Sequence, residues 1–194
     1  MFDYIIGIDE AGRGPLAGPV SVGLCIVPSD FDFAVFTNLK DSKKLSEKRR
    51  VQILGEMKKL QKEKKLNFAV ALVSNKLIDD RGIVFAIESG IKDILKKIDI
   101  DPQKVRVLLD GGLRAPDEFV NQETIIRGDE SEPVISLASI AAKVTRDNYM
   151  VKLAEDYPEY GLEIHKGYGT VKHREAIRKY GLSNIHRRTF CGNI

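Results

Sequence analysis

Apolar residues fall in short bursts near the start of the chain and at helical spacing further on. Residues 3 to 10 and about 18 to 27 are apolar, rich in Val and Ile, and bounded by Gly or Pro, which predicts two strands. The glycine-rich stretch between them is short enough to join antiparallel neighbours. Between Ser46 and Lys65, the residues Val51, Leu54, Met57 and Leu60 recur every three positions among Lys, Arg, Glu and Gln. With Ser46 as N-cap this predicts an exposed amphipathic helix. Leu66 to Val73 alternates large apolar residues with smaller or polar ones, a third strand.

Helical spacing resumes from about Ser74, pauses near Asp79 to Gly82, and runs on to Ile98 through Ile83, Ala86, Ile87, Ile91, Ile94 and Leu95. Asp101-Pro102 closes that element. Val105 to Leu109 then reads as a strand with Asp110 at its C-terminal end, and Glu123 to Ile126 as another brief one. Pro133 is a good first residue for a helix to about Asp156, and the run is nearly apolar through Ala142, so its first half is expected to be buried. A last helix spans Thr170 to Tyr180, closed by Gly181. With no repeat, low-complexity tract or linker, the expected architecture is α/β: a body of residues 1–156 and a small, basic helical extension of residues 157–194 packed on it.

Composition narrows the class. The 194 residues are 43% hydrophobic and 30% charged, and no run of about 18 apolar residues could cross a bilayer. The N-terminus lacks a basic segment followed by an apolar one, so the expectation is a cytoplasmic protein with no membrane contact. The length is sufficient for its own core, so a monomer is expected. Cys25 and Cys191 are too few for a disulfide scaffold, and Cys25 lies in an apolar run where it reads as a small core residue. The formal charge of +3 is uneven. From His165 onward seven lysines and arginines face the single acid Glu175, a balance of +6 that leaves −3 on the rest. A basic face beside an acidic body suits a protein that grips a polyanion with one part and holds cations with another.

The densest chemistry lies in Gly7-Ile-Asp-Glu-Ala-Gly-Arg-Gly-Pro-Leu-Ala-Gly-Pro19. Asp9 and Glu10 stand at the end of the first strand, directly before a glycine-rich turn through which backbone can approach a ligand closely. Asp110 precedes Gly111-Gly112, and Asp129 follows Gly128. Taken singly, each has a bland alternative: Asp9 and Glu10 can solvate a strand end, Asp110 can shape a turn, and Asp129 can sit in an acidic loop with Glu130 and Glu132. Taken together, four carboxylates without nearby His or Cys form an all-oxygen set suited to Mg²⁺ or Mn²⁺ and not to zinc. Successive strand residues point to opposite faces, so Asp9 is expected to belong to the regular strand and Glu10 to be turned by the following bend. Asp147, next to Arg146 on a helix, reads as an ion-pairing residue and not a fifth acid. His165, His173 and His186 are scattered and offer no ligand pair.

These segments, with Asp41-Ser-Lys-Lys-Leu-Ser46, Leu109-Asp-Gly111, Arg127-Gly-Asp129, Ser136-Leu-Ala-Ser-Ile-Ala-Ala-Lys-Val-Thr-Arg-Asp147, His165-Lys-Gly-Tyr-Gly-Thr170 and His186-Arg-Arg-Thr-Phe190, resemble the type 2 ribonuclease H family, in its short bacterial-style form, ribonuclease HII. The motifs run in order across the whole chain. Arg127 stands where that family more often has Lys, and a cation is kept.

The resemblance implies the ribonuclease H-like fold, a mixed five-stranded sheet flanked by helices with its first three strands antiparallel. It implies an endonuclease that cuts the RNA strand of RNA–DNA hybrids and incises duplex DNA 5′ to an embedded single ribonucleotide, leaving 5′-phosphate and 3′-hydroxyl ends. The catalytic and metal-binding acids carry over onto Asp9, Glu10, Asp110 and Asp129, with Asp9 expected to bridge two Mg²⁺ or Mn²⁺ ions. Recognition of the 2′-hydroxyl carries over onto Gly12, Arg13, Gly14 and Tyr168. Lys43, Lys143 and Arg146 are expected to contact substrate phosphates, with Lys44 and the basic tail as a supporting group. The chain has almost no tail after Phe190, which argues against a C-terminal sliding-clamp peptide. Another metal nuclease of the same fold would share the acids without needing Tyr168 or the Gly-Arg-Gly turn. A nucleotide hydrolase built on the glycine-rich loop lacks support, because no Gly-Lys-Ser/Thr follows it.

Overall fold

Strands β1 (Tyr4–Ala11) and β2 (Val20–Pro28) form an antiparallel pair, as expected of two Val- and Ile-rich runs joined by a short turn. The computed structural model describes residues 2–37, 39 and 45–194, so the expected contact at Lys43 lies outside the described residues. Strand β3 (Asn67–Val73) adds antiparallel to β2, while β4 (Val105–Asp110) and β5 (Gln122–Ile125) add in parallel on the other side of β1. The sheet order is β3-β2-β1-β4-β5, which is the mixed five-stranded sheet implied by the resemblance.

The helices are α1 (Glu47–Lys62), α2 (Asn75–Arg81), α3 (Ile83–Leu95), α4 (Gly128–Ser131), α5 (Pro133–Asp156), α6 (Leu162–His165) and α7 (Val171–Tyr180), of which α3 packs on one face of the sheet and α1 and α5 on the other. Three of them begin where a hydroxyl residue precedes the periodic run. The side chains of Ser46, Ser74 and Thr170 accept from the amides of Arg49, Leu77 and His173, satisfying donors that a helix start leaves unpaired. The pause read near Asp79 to Gly82 is a true break, with Gly82 between α2 and α3, and α3 ends at Leu95, short of Ile98.

Alternation along the strands assigns the two faces. Ile6, Ile8, Val20, Val22 and Leu24 pack with Ile87, Ile91 and Ile94 of α3, whereas Cys25 and Val27 pack with Ile53, Leu54 and Met57 of α1 and with Ile135 and Ala138 of α5. The buried stripe of α1 therefore differs from the expected one, and Val51 is 49% exposed. A strict period of three drifts around a helix of 3.6 residues per turn, so Val51 rotates to solvent while Ile53 turns inward. Cys25 is fully buried, as expected, and burial pushes its thiol pKa up. The first half of α5 is buried as its apolar run predicted, and it crosses β2 at very close range. A Cβ on Gly23 would lie 2.2 Å from the Ala138 carbonyl oxygen, so only glycine fits there.

A third cluster joins Leu16 and Ala17 to Met150, Ala154, Tyr160, Leu162, Ile177 and Ile185. It seats the C-terminal residues on the far half of α5 and on the glycine-rich loop at once, and the loop pairs directly with the tail through an Ala17–His186 bridge. Among the described residues no helix is long and apolar enough to cross a membrane.

Candidate active site

Parallel pairing between β1 and β4 ends at Ile8 and Leu109, so the next residues, Asp9 and Asp110, lie side by side just past the last β1–β4 pair, each still paired on its other side, Asp9 with Gly23 of β2 and Asp110 with Ile125 of β5. Ligands collect at strand ends in α/β sheets. Asp9 is buried on the α5 face, where it accepts hydrogen bonds from the Ser139 side chain and, at 2.7 Å, from the Glu10 amide. Burial pushes its carboxyl up to about 8, and the neighbouring Glu10 and Asp110 charges add to the rise against those two hydrogen bonds.

Glu10 departs from expectation. Strand β1 stays regular through Ala11, with Glu10 opposite Val22, so no bend turns its side chain. Alternation places it on the opposite face from Asp9, but β4 has already ended beside it, and both acids reach the open rim of one cleft. Burial raises the Glu10 pKa too, opposed by the Arg13 guanidinium at 3.2 Å.

Asp129 lies not in an acidic loop but in the single-turn helix α4, and only 2% of it is exposed. Arg127, in the left-handed region at φ 56°, turns the chain into that helix. The Asp129 amide donates to Asp110 Oδ1 at 3.4 Å, and the Ser136 hydroxyl donates to the Asp129 carbonyl. All four expected acids line one cavity of about 420 Å³, together with Gly12, Arg13, Gly14, Lys143 and Tyr168. Ser139 and Arg50 also line it, and sequence reasoning had singled out neither. Ser139 carries a faint signal in hindsight, as one of only two hydroxyl residues, with Ser136, in the nearly apolar run from Val134 to Ala142.

The donor set fits divalent cations. It is all oxygen, and the mutual repulsion of Asp9, Glu10 and Asp110 is what a bound cation relieves. Among the described residues no three carboxylate, imidazole or thiol groups are drawn close enough to chelate one ion by themselves.

Tyr168 is 40% exposed, and its ring is flanked by Lys143 Nζ at 5.5 Å and Arg146 Cζ at 5.8 Å from the centroid. Lys143 lines the cleft and also pairs with Asp147 at 2.9 Å, which gives Asp147 the ion-pairing place read from the sequence. Arg146 corrects the sequence reading: it is fully buried beneath the glycine-rich turn, with its guanidinium on backbone carbonyls, and cannot reach a phosphate. It was grouped with the phosphate contacts as a cation, and charge alone does not distinguish a guanidinium aimed at solvent from one held by the carbonyls of Ala17, Pro19 and Lys166. Arg187, grouped from its sequence with the basic tail, is buried alongside it. The scattered histidines also meet. His165 stacks on His173 at 4.4 Å, and His173 Nε2 lies 3.2 Å from His186 Nε2. Ser183 donates its amide to His186 Nδ1, which leaves the His186 proton on Nε2 to be donated to His173; the other His173 nitrogen then donates to the Tyr168 carbonyl at 2.9 Å.

A mixed sheet in this order, with carboxylates side by side where the β1–β4 pairing ends and a buried fourth acid beyond β5, defines a hydrolase of the ribonuclease H-like class. The family model for ribonuclease HII matches residues 6–193. Ribonuclease HII of Endomicrobium trichonymphae is 46% identical over 189 residues, covering 97% of this chain and 86% of its own. The ribonuclease H2 of Pyrococcus horikoshii superposes with a TM-score of 0.73 at 26% identity, over 97% of this chain and 95% of that one. The ribonuclease HII of Archaeoglobus fulgidus, solved in complex with PCNA, superposes with a TM-score of 0.72 at 26% identity, over 95% and 93%. The chain belongs to the ribonuclease HII family, and with that membership it is a nuclease that hydrolyses the RNA strand of RNA–DNA hybrids.

Proposed function

We propose that this nuclease also incises duplex DNA on the 5′ side of a single embedded ribonucleotide, using two divalent cations, Mg²⁺ or Mn²⁺, and leaving 5′-phosphate and 3′-hydroxyl ends. The observation that carries this reading is the shared cleft. The Gly12-Arg13-Gly14 turn and Tyr168 open onto the same cavity as Asp9, Glu10, Asp110 and Asp129. A ribose read at the turn therefore has its 5′ phosphate next to the acids, and one ribonucleotide suffices to bring the bond to be broken into place.

Asp9, Glu10, Asp110 and Asp129 would hold the cations, with Asp9 central because it lies between the charges of Glu10 and Asp110. Cations held there supply a nucleophilic water near neutral pH and stabilise charge on the leaving 3′ oxygen. Ser139 holds the Asp9 carboxylate in one orientation, and Lys143 offers a positive charge to a phosphate at the cleft wall. The backbone amides of the turn donate to the sugar and phosphate oxygens, while the Tyr168 ring packs on the neighbouring deoxyribose and its hydroxyl meets the 2′ oxygen. Such an activity belongs to the removal of ribonucleotides from DNA in the cytoplasm.

The test is strand cleavage of an RNA–DNA hybrid with Mg²⁺, with Mn²⁺ and with chelator, for the wild type and Asp9→Asn. Metal-dependent cleavage lost in Asp9→Asn, with hybrid binding kept, is the expected result. Cleavage by Asp9→Asn at the wild-type rate would refute the assigned role of the acids.

A further inference from the structure

Two arginines lie buried beneath the glycine-rich turn, and neither is spent on a carboxylate. Arg187 donates from Nε to the Gly18 carbonyl at 2.9 Å, from Nη1 to Arg13 at 2.9 Å, and from Nη2 to Gly12 at 2.7 Å and Pro19 at 3.0 Å. Arg146 donates from Nε to Pro19 at 2.8 Å, from Nη1 to Lys166 at 3.0 Å and from Nη2 to Ala17 at 3.1 Å. Both residues are 0% exposed. Burying two like charges beside each other is costly, and an aliphatic side chain would fill the space more cheaply, so their use must lie in what they hold.

What they hold is the direction of peptide units. In a trans peptide the carbonyl of one residue and the N–H of the next point in opposite directions. Drawing the Gly12 and Arg13 carbonyls onto Arg187 turns the Arg13 and Gly14 N–H groups the other way, and these residues line the cleft. Among the described residues those two amides donate to no backbone acceptor, which leaves them open to a ligand. Gly12 is shaped to the same device: its φ is +87°, and a Cβ there would lie 2.0 Å from Arg146 Nε. Arg146 also grips the Lys166 carbonyl, two residues before Tyr168, and lies against the Tyr168 ring. The tail that carries Arg187 is fixed in turn by Asp79, whose carboxylate accepts from the amides of Arg188 at 2.9 Å and Thr189 at 3.0 Å.

We propose that Arg146 and Arg187 are positioning residues for ribonucleotide recognition, a buried guanidinium pair that presents the turn amides and sets their spacing to Tyr168. This rests on the proposed reading of the turn and Tyr168 as the 2′-hydroxyl sensor. A lysine keeps the charge but has a single nitrogen and cannot hold several carbonyls in a planar fan.

The test compares the wild type with Arg187→Lys and Arg146→Lys. For each protein, KM and kcat are measured on a DNA duplex bearing one ribonucleotide, cleavage on the matching all-DNA duplex, melting temperature, and Mn²⁺ affinity by calorimetry. The expected result for a cooperatively melting variant is a KM raised about tenfold or more and a narrowed preference for the ribonucleotide, with Mn²⁺ affinity within about twofold of wild type. A discriminating wild type with both variants unchanged in KM and preference overturns the inference alone, as does a parallel loss of Mn²⁺ affinity. Loss of cooperative melting in both variants would make the pair a stability device and also overturn it. A wild type that does not discriminate takes down the proposed sensor and this inference together.

Discussion

Asp9 and Asp110 lie side by side because the β1–β4 register stops one residue earlier, at Ile8 and Leu109. The pairing that ends there forces two carboxylates together at a buried rim, and Glu10 adds a third charge. Without a cation this arrangement strains the folded state. Burial holds the Asp9 carboxyl up at about 8, so around neutral pH folding without a cation must either protonate it or bury its charge. Asp9→Asn removes that cost, and in chelator at pH 7.5 the variant should be more stable than the wild type by on the order of 2 kcal/mol and melt higher. The same change should lower cleavage about 10³-fold or more, several kcal/mol of lost cation-mediated stabilisation. Calorimetric melting in chelator and a cleavage assay check both parts, and a lower-melting Asp9→Asn would contradict the charge argument.

The histidine pair predicts an acid limit to stability. Burial, with the neighbouring His173 second, lowers His186 to about 4 from an ordinary 6.5. The folded protein thus favours neutral His186, so the unfolded chain takes up more protons between these values. Stability from this group is complete above about pH 6.5 and is lost as pH falls toward 4, by about 3 kcal/mol at most. His186→Gln should be less stable than wild type at pH 7.5, and the gap should narrow by pH 4.5. Melting curves at the two pH values decide it, and a constant gap would show that the imidazole charge is not involved.

Two glycine substitutions should have opposite signs. Gly23→Ala places a methyl group 2.2 Å from the Ala138 carbonyl oxygen where α5 crosses β2, an overpacking that should destabilise by about 3 kcal/mol. Gly55, on the exposed side of α1, has nothing within 4 Å of an added Cβ. Gly55→Ala should stabilise by about 0.5–1 kcal/mol through helix propensity alone. Urea unfolding of both variants measures the pair, and equal changes would contradict the close approach of α5.

The contrast between local and long-range information explains what could be read from the sequence. The five strands, the long helix from Pro133 and the positions of Asp9 and Asp110 follow from alternation, capping and turn residues, all of which are local. The ends of β1 and β4 could be placed, but not their register, and it is the register that brings the two acids together. Asp129 looked like loop because a one-turn helix is too short to show periodicity. The burial of Arg146 and Arg187 was illegible for a different reason. Their partners are backbone carbonyls of residues 12 to 19 and 166, which leave no mark in side-chain pattern. The histidine cluster likewise forms only when α7 and the tail fold back on one another.

Tyr168 separates two parts of substrate selection. Tyr168→Phe keeps the ring between Lys143 and Arg146 and removes the hydroxyl, so the expected loss is a hydrogen bond of about 1–2 kcal/mol, roughly tenfold in kcat/KM on a ribonucleotide-bearing duplex. Tyr168→Ala removes the ring as well and should lose on the order of 10²-fold or more. Steady-state kinetics of both variants test this, and equal activity of Tyr168→Ala and wild type would remove Tyr168 from the sensor.

The central claim is that sugar sensing and hydrolysis share one cleft so closely that one ribose directs one cut. The direct measurement is the position of the nick in a DNA duplex with a single internal ribonucleotide, mapped on both strands with Mg²⁺ or Mn²⁺ present, beside the all-DNA duplex. The account predicts a single nick immediately 5′ to the ribonucleotide, with 3′-hydroxyl and 5′-phosphate ends and no cutting of the all-DNA duplex. Equal cutting of both duplexes, or cuts unrelated to the position of the ribose, would contradict it.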